Sequence, residues 1–304
     1  MISALTIVTV LSALVSVTAR TVSRRMSPAT TAVALTVASV TIAGTSTGIL
    51  AVAAWYGVAR FGPVAAAGGW SPRLLSNATP LPLPASAIAG IATLGVAVSV
   101  VRLWLRRAAE LRSAQRLWYR TGRDPIVIAD DDEIDAFAIE GSTATRRVIL
   151  TAGLLRALPE AALQRAVIAH EQAHLRHHHL FYRLATETAA RANPFLRPII
   201  SVVTDALESW ADDEAARATG PATVATAIAT VALTRAEQPP LPIALAIAES
   251  VTVRRIERLL DPARINNAGV VAGALFAVIA LIVLGVSCHQ TERFFEALRT
   301  ASNI

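Results

Sequence analysis

Lysine is absent from this chain of 304 residues, so every one of its 28 basic residues is arginine. Cysteine occurs once, at Cys288, which excludes an intrachain disulfide and any cysteine-rich zinc site. Charge is scarce: 16% of residues are charged against 54% hydrophobic, and mean hydropathy is +0.50. That is too apolar for an ordinary soluble domain and points to membrane spans. Neither an internal repeat nor a long disordered tract interrupts the chain. The arginine-only, alanine-rich composition suits a GC-rich bacterial genome. A net charge of +6 would suit nucleic acid, but the placement of the arginines argues for membrane topology instead.

Four stretches are long and apolar enough to cross a bilayer, which takes about 20 residues. They cover residues 2–19, 31–58, 85–105 and 268–286. None holds an acidic residue, and arginine enters only near the ends of the third. The first could be a secretory signal, but it lacks the preceding positive charge, and Arg20, Arg24 and Arg25 follow it instead. It therefore reads as a retained span. Between the second and third stretches stand only Arg60 and Arg73, whereas Arg102, Arg106, Arg107, Arg112, Arg116, Arg120 and Arg123 cluster at the end of the third. The positive-inside rule then places the first loop and the segment after residue 105 in the cytoplasm, with the N-terminus outside a bacterial cell membrane. The arginine cluster reads as a topology anchor in contact with acidic lipid. No DNA-binding motif accompanies it, so the bilayer is the expected partner and nucleic acid is not.

The chemistry is concentrated in His170-Glu171-Gln172-Ala173-His174, an H-E-x-x-H pentad within a helical pattern over 159–180. Histidines four residues apart on a helix project about 40° apart, so two imidazoles can reach one tetrahedral metal. Leu163, Val167, His170 and His174 continue one apolar stripe, and a helix does not aim two histidines at its buried side unless something satisfies them. Glu171 lies one step round, placed to act on water as a general base.

A catalytic zinc site needs a third protein ligand and an open position. His177, His178 and His179 stand too close in sequence to turn back onto the metal held by His174. A secondary metal site there is conceivable, and an interfacial or solvated histidine run is the plainer reading. Glu208 is the better third ligand. It opens Glu208-Ser209-Trp210-Ala211-Asp212, so Glu208 and Asp212 share a helical face. One carboxylate can bind zinc while the next supports a ligand histidine. Around these residues, 125–129, 135–139 and 147–151 read as short strands, with a turn at Gly141-Ser142. Helices are expected over about 198–219, 222–236 and 241–260.

H-E-Q-A-H followed by E-S-W-A-D resembles the paired motifs of gluzincin membrane peptidases. Three spans, a cytoplasmic protease domain and a fourth span resemble the BlaR/MecR-type antirepressor metallopeptidases in particular. D-A-F-A-I and R-V-I-L-T-A-G-L-L are similar to the edge strand and lead-in of that superfamily, and V-R-R-I-E-R-L-L-D-P at 253–262 to its closing helix. The resemblance implies one catalytic Zn2+ at His170, His174 and Glu208, Glu171 as base and acid, and Asp212 as the second acidic position. Related enzymes often carry Asp four residues after the second histidine. This chain has His178 there, and no role for that carboxylate carries over.

The expected fold class is mainly α: a multi-pass membrane protein with four transmembrane helices and an inserted α+β gluzincin-type zinc protease domain. The expected division is a three-helix membrane region over 1–105, a cytoplasmic metallopeptidase domain over 106–266, and a fourth span with a short extracellular tail over 267–304. The expected activity is hydrolysis of a protein substrate, such as a winged-helix repressor or another cytoplasmic regulatory protein. Without lysine there is no S-x-x-K of a penicillin-binding sensor, and a β-lactam role is not expected. An HtpX- or CAAX-prenyl-protease-like quality-control peptidase shares the ligand pattern. A non-catalytic signalling scaffold with a structural metal is the remaining alternative.

Overall fold

Ser27 ends the first charged turn and caps the next helix, its Oγ accepting the N–H of Thr30 ahead of Pro28 at the first helical position. Such signals delimit the long helices of the computed structural model, which describes residues 2–78, 81–118, 124–139, 146–236 and 242–261 and scattered positions between 282 and 299. The elements are α1 (Ile2–Ser23), α2 (Pro28–Ala59), α3 (Gly62–Gly68), α4 (Pro72–Ala78), α5 (Leu83–Trp118), β1 (Ile126–Ala129), β2 (Ala136–Ile139), β3 (Arg147–Thr151), α6 (Ala152–Ala157), α7 (Ala161–Arg176), α8 (His179–Ala192), α9 (Arg197–Thr219), α10 (Pro221–Ala236) and α11 (Pro242–Leu260).

Among the described residues, three segments are long and apolar enough to cross a membrane: Ala4–Ser23, Pro28–Ala59 and Leu83–Ser113. They contain the second and third expected spans and cover the first from residue 4 on. The fourth, 268–286, and the expected turn at Gly141-Ser142 lie outside the described residues. α2 and α5 approach closely where a Cβ on Gly57 would lie 2.8 Å from that of Ser86, the small-residue contact that lets membrane helices pack.

The sheet has the order β1-β3-β2, with β1 parallel and β2 antiparallel to β3. Alternation sends Val148 and Leu150 into the core beneath α7, while Ile149 meets Val127 and Ile139 on the opposite face. β2 is left at an edge.

Among the described residues, the two largest hydrophobic cores lie on either side of α9. One joins the sheet, α6, α7, α10, Ala215 of α9 and Leu259 of α11. The other joins α1 and α2 to Ala189 and Ala190 of α8 and to residues 199–207 of α9. α9 therefore runs continuously through both. The pentad helix does not: the expected helix over 159–180 ends at Arg176, and His178 adopts the left-handed conformation at φ 53°. A non-glycine residue pays strain for that conformation. Here it redirects the chain from one core into the other.

At the tip of the α8–α9 hairpin, Asn193 is buried. Its Oδ1 accepts the Phe195 N–H at 3.2 Å, and its Nδ2 donates to Ser12 Oγ at 2.9 Å. Ser16 Oγ donates to the Phe195 carbonyl at 2.6 Å, and Thr36 and Thr186 hydroxyls meet at 3.1 Å. Arg107 of α5 binds both oxygens of Glu187 on α8 at 2.7 Å. The hairpin is thus stitched to three candidate membrane helices by polar bonds in apolar surroundings. Removing one partner strands the other, at a cost of about 1–3 kcal/mol. Asn193→Ala should lower the thermal midpoint of the detergent-solubilised protein, and adding Ser12→Ala should lower it little further, since both remove the same bond.

Candidate metal centre

α7 presents His170 and His174 on the face it turns toward α9, and α9 answers with Glu208. The two Nε2 atoms lie 3.1 Å apart. Glu208 straddles them, with Oε2 3.5 Å from His170 Nε2 and Oε1 3.7 Å from His174 Nε2. A tetrahedral ion with ligand bonds of about 2.0–2.1 Å separates its ligand atoms by about 3.3–3.4 Å. The three spacings bracket that value, so the donor set fits a zinc ion. Among the described residues these three form the cluster that could hold a metal.

The outer ring nitrogens are fixed. His170 Nδ1 lies 3.0 Å from Asp212 Oδ1. Asp212 has no exposed surface and is gripped by Arg255 of α11, whose Nε and Nη2 donate at 2.8 and 2.7 Å. The same guanidinium lies 3.6 Å from Glu208 Oε2. His174 Nδ1 meets His179 Nδ1 at 2.7 Å. Of the residues singled out in the sequence, His170, Glu171, His174 and Glu208 line one cleft, and Asp212 is buried behind His170.

From sequence, Arg255 has no role and His179 reads only as part of a solvated or secondary-metal histidine run, not as a partner of His174. For Arg255 the signal was the V-R-R-I-E-R segment, read as a closing helix without a role for its arginines. For His179 there was none: the left-handed turn at His178 swings its ring back onto His174. The other two histidines go elsewhere. His177 lies against Trp210 with ring centroids 4.5 Å apart, and His178 sits beside Arg146.

Electrostatics follow from this crowding. Burial disfavours charge on His170, but the hydrogen bonds to Asp212 and Glu208 outweigh it and raise its pKa to about 9. Burial and the charge of His170 push His174 down to about 4, and burial and its histidine neighbours take His179 to about 3. The His170 Nε2–H lies between His174 Nε2 and the Glu208 carboxylate. His174 keeps its own proton on Nδ1 and donates it to His179. Burial would raise both carboxylates, but His170 brings Glu208 down to about 2, and Arg255 with His170 does the same for Asp212. Burial dominates at Glu171, and with Glu208 and Asp135 nearby its pKa rises to about 7 against the opposing pull of His170 and the Ala138 N–H.

Residues 105–238 match the sequence model of peptidase family M48. The matched segment holds the pentad, Glu208 and Asp212 and stops short of Arg255. It supports a metallopeptidase of that family, whose members are generally zinc enzymes, without singling out the BlaR/MecR-type group. No curated protein and no solved structure matches the chain.

Two outcomes are expected. In the metal-free site one proton occupies the histidine pair up to about pH 9, so zinc must displace it. Zinc affinity should therefore rise about tenfold per pH unit from 7 toward 9 and level off above. Titration calorimetry at pH 7 in buffers of differing ionisation enthalpy should report release of at least one proton, the one shared by the histidine pair. Asp212→Asn, which removes the charge orienting His170, should weaken zinc about 10–100-fold in chelator competition.

Proposed function

We propose that the chain is an integral membrane zinc metalloendopeptidase in which His170, His174 and Glu208 hold the metal and Glu171 is the general base. One observation carries this reading: two ring nitrogens and a carboxylate converge beside a second carboxylate in a cavity of about 1060 Å3 that has an open strand edge as one wall. That volume accommodates several residues of a peptide.

The strand edge is β2. Thr151 N–H donates to the Asp135 carbonyl, and Phe137 and Ile139 pair with Ile149 and Arg147. Residues 135, 137 and 139 therefore turn their backbone groups to β3, and Ala136 and Ala138 turn theirs away. The Ala138 N–H reaches Glu171. An extended substrate pairing with Ala136 and Ala138 would bring its scissile bond alongside Glu171.

Zinc, when bound, supplies a Lewis acid that polarises the scissile carbonyl and acidifies water. Glu171 takes the proton of the attacking water and delivers it to the leaving nitrogen. Its raised pKa suits both halves of that transfer. Arg255 keeps Glu208 and Asp212 ionised throughout. His179 and Asp212 hold the two imidazoles in the tautomers that leave Nε2 free.

The proposed substrate is a cytoplasmic regulatory protein, such as a winged-helix repressor, cut by a site on the cytoplasmic side of a bacterial cell membrane. A second reading, quality control of membrane proteins, is favoured by α8. One side of this helix lines the cavity with His179, Leu180 and Arg183, while the other packs on candidate membrane helices. A substrate leaving the bilayer would meet the site at once.

Glu171→Gln should retain zinc and lose at least about 10²–10⁴-fold in peptidase rate. Comparing the proteomes of wild-type and Glu171→Gln cells should reveal the substrate. One protein accumulating uncut at one site supports regulation, and many membrane proteins support quality control. Full cleavage by the variant would sink the mechanism.

A further inference from the structure

The turn joining α1 to α2 gathers charge that the metal centre does not use. A cleft of about 370 Å3 lies between this turn, α9 and α11, bordered by Arg20, Arg24, Arg25, Arg254 and Arg258 and by the carboxylates Asp205 and Asp213. Arg258 Nη1 takes Asp213 at 2.8 Å and its Nη2 donates to the Ser209 carbonyl at 2.7 Å, yet its buried Nε has no hydrogen-bond partner. Arg20 reaches only Ser201 Oγ, at 3.4 Å. Among the described residues, Arg24, Arg25 and Arg254 make no side-chain hydrogen bond or ion pair. Partial burial raises the pKa of Asp205 despite Arg254 and Arg20. The cleft therefore carries surplus positive charge with unused, fork-shaped donors.

Its position narrows the ligand. Arg20, Arg24 and Arg25 stand where α1 and α2 leave their apolar stretches, the level at which lipid headgroups meet a spanning hairpin. A phosphodiester offers one negative charge and paired acceptor oxygens, which match guanidinium geometry. We infer that this cleft binds the phosphate of an acidic phospholipid, with Arg24, Arg25 and Arg254 as the donors.

The binding has a consequence for the metal centre. Arg254 and Arg258 lie four residues apart on α11 and face the cleft, while Arg255, one step round, reaches Asp212. A phosphate bridging the membrane hairpin to Arg254 holds α11 in place, and with it the arginine that neutralises Asp212 and Glu208. Lipid binding stands by itself. Its effect on hydrolysis rests on the peptidase reading.

The test uses the full chain in nanodiscs of phosphatidylcholine alone or mixed with phosphatidylglycerol, with retained lipids counted by native mass spectrometry. Each arginine is worth about fivefold in affinity for anionic lipid, so Arg24→Gln/Arg254→Gln should bind phosphatidylglycerol about 30-fold more weakly. Wild-type protein should retain phosphatidylglycerol and not phosphatidylcholine, and should melt higher in the mixed discs. The double variant should gain less from the mixed discs than wild type. Arg25→Gln alone, at an exposed turn position, should lose about fivefold and guards against misfolding of the double variant. Equal retention of phosphatidylglycerol by wild type and the variants overturns the site. Displacement of the lipid by millimolar inorganic phosphate overturns the lipid as its ligand. Retention is read without a peptidase assay, so it stands or falls apart from the catalytic reading.

Discussion

Asp212 is the residue on which this architecture turns. A carboxylate with no exposed surface must be paired or it will not stay charged. Asp212 is paired twice, to His170 of α7 and to Arg255 of α11, and so joins three helices at one point. The interaction is mutual. Asp212 draws charge onto His170 and fixes its Nδ1, which turns Nε2 toward His174 and Glu208. Arg255 in turn is acceptable in a partly buried position because two carboxylates receive it. Removing any one of these partners leaves a charge stranded, so the triad specifies how α11 docks as well as how the imidazole points.

The second constraint is that the centre lies on a seam. Residues 199–207 of α9 belong to the core shared with α1 and α2, and Ala215 belongs to the core beneath the sheet. Glu208 and Asp212 fall between. On the other chain segment the seam is the strained turn at His178, with α7 on one side and α8 on the other. A centre built into either core alone would be closed by packing. On the seam it is held by rigid helices from both sides while its open face meets the cavity. The same arrangement binds the centre mechanically to candidate membrane helices, through Asn193, Thr186 and Glu187.

The residues that were legible in the sequence were those whose relations are local. H-E-x-x-H and the pair Glu208 and Asp212 are each set by helical spacing, and strand alternation located β1, β2 and β3 within a residue or so. Arg255 lies 43 positions after Asp212 and meets it only because α11 folds back across α9. No local period announces that. The break at His178 was hidden because three consecutive histidines neither cap nor stop a helix by propensity, and a left-handed histidine is dictated by the two cores that the chain must join. The packing of α8 on α2 was hidden for a related reason. Arg183, Glu187 and Arg191 make the segment read as surface, while its buried side is made of small residues such as Ala189 and Ala190.

The form of the centre weighs on whether a metal held there would do chemistry. A structural zinc is closed by four protein ligands. Among the described residues three donors converge, while His179 and Asp212 meet the outer nitrogens of His174 and His170. Glu171, hydrogen-bonded by the Ala138 N–H, lines the same cavity as the three donors. Burial beside Glu208 and Asp135 raises the Glu171 pKa to about 7, an arrangement that costs stability and contributes nothing to holding a metal. A scaffold has no use for a desolvated carboxylate opposite an open strand edge, whereas a peptidase needs both, and needs them on the same side of the metal.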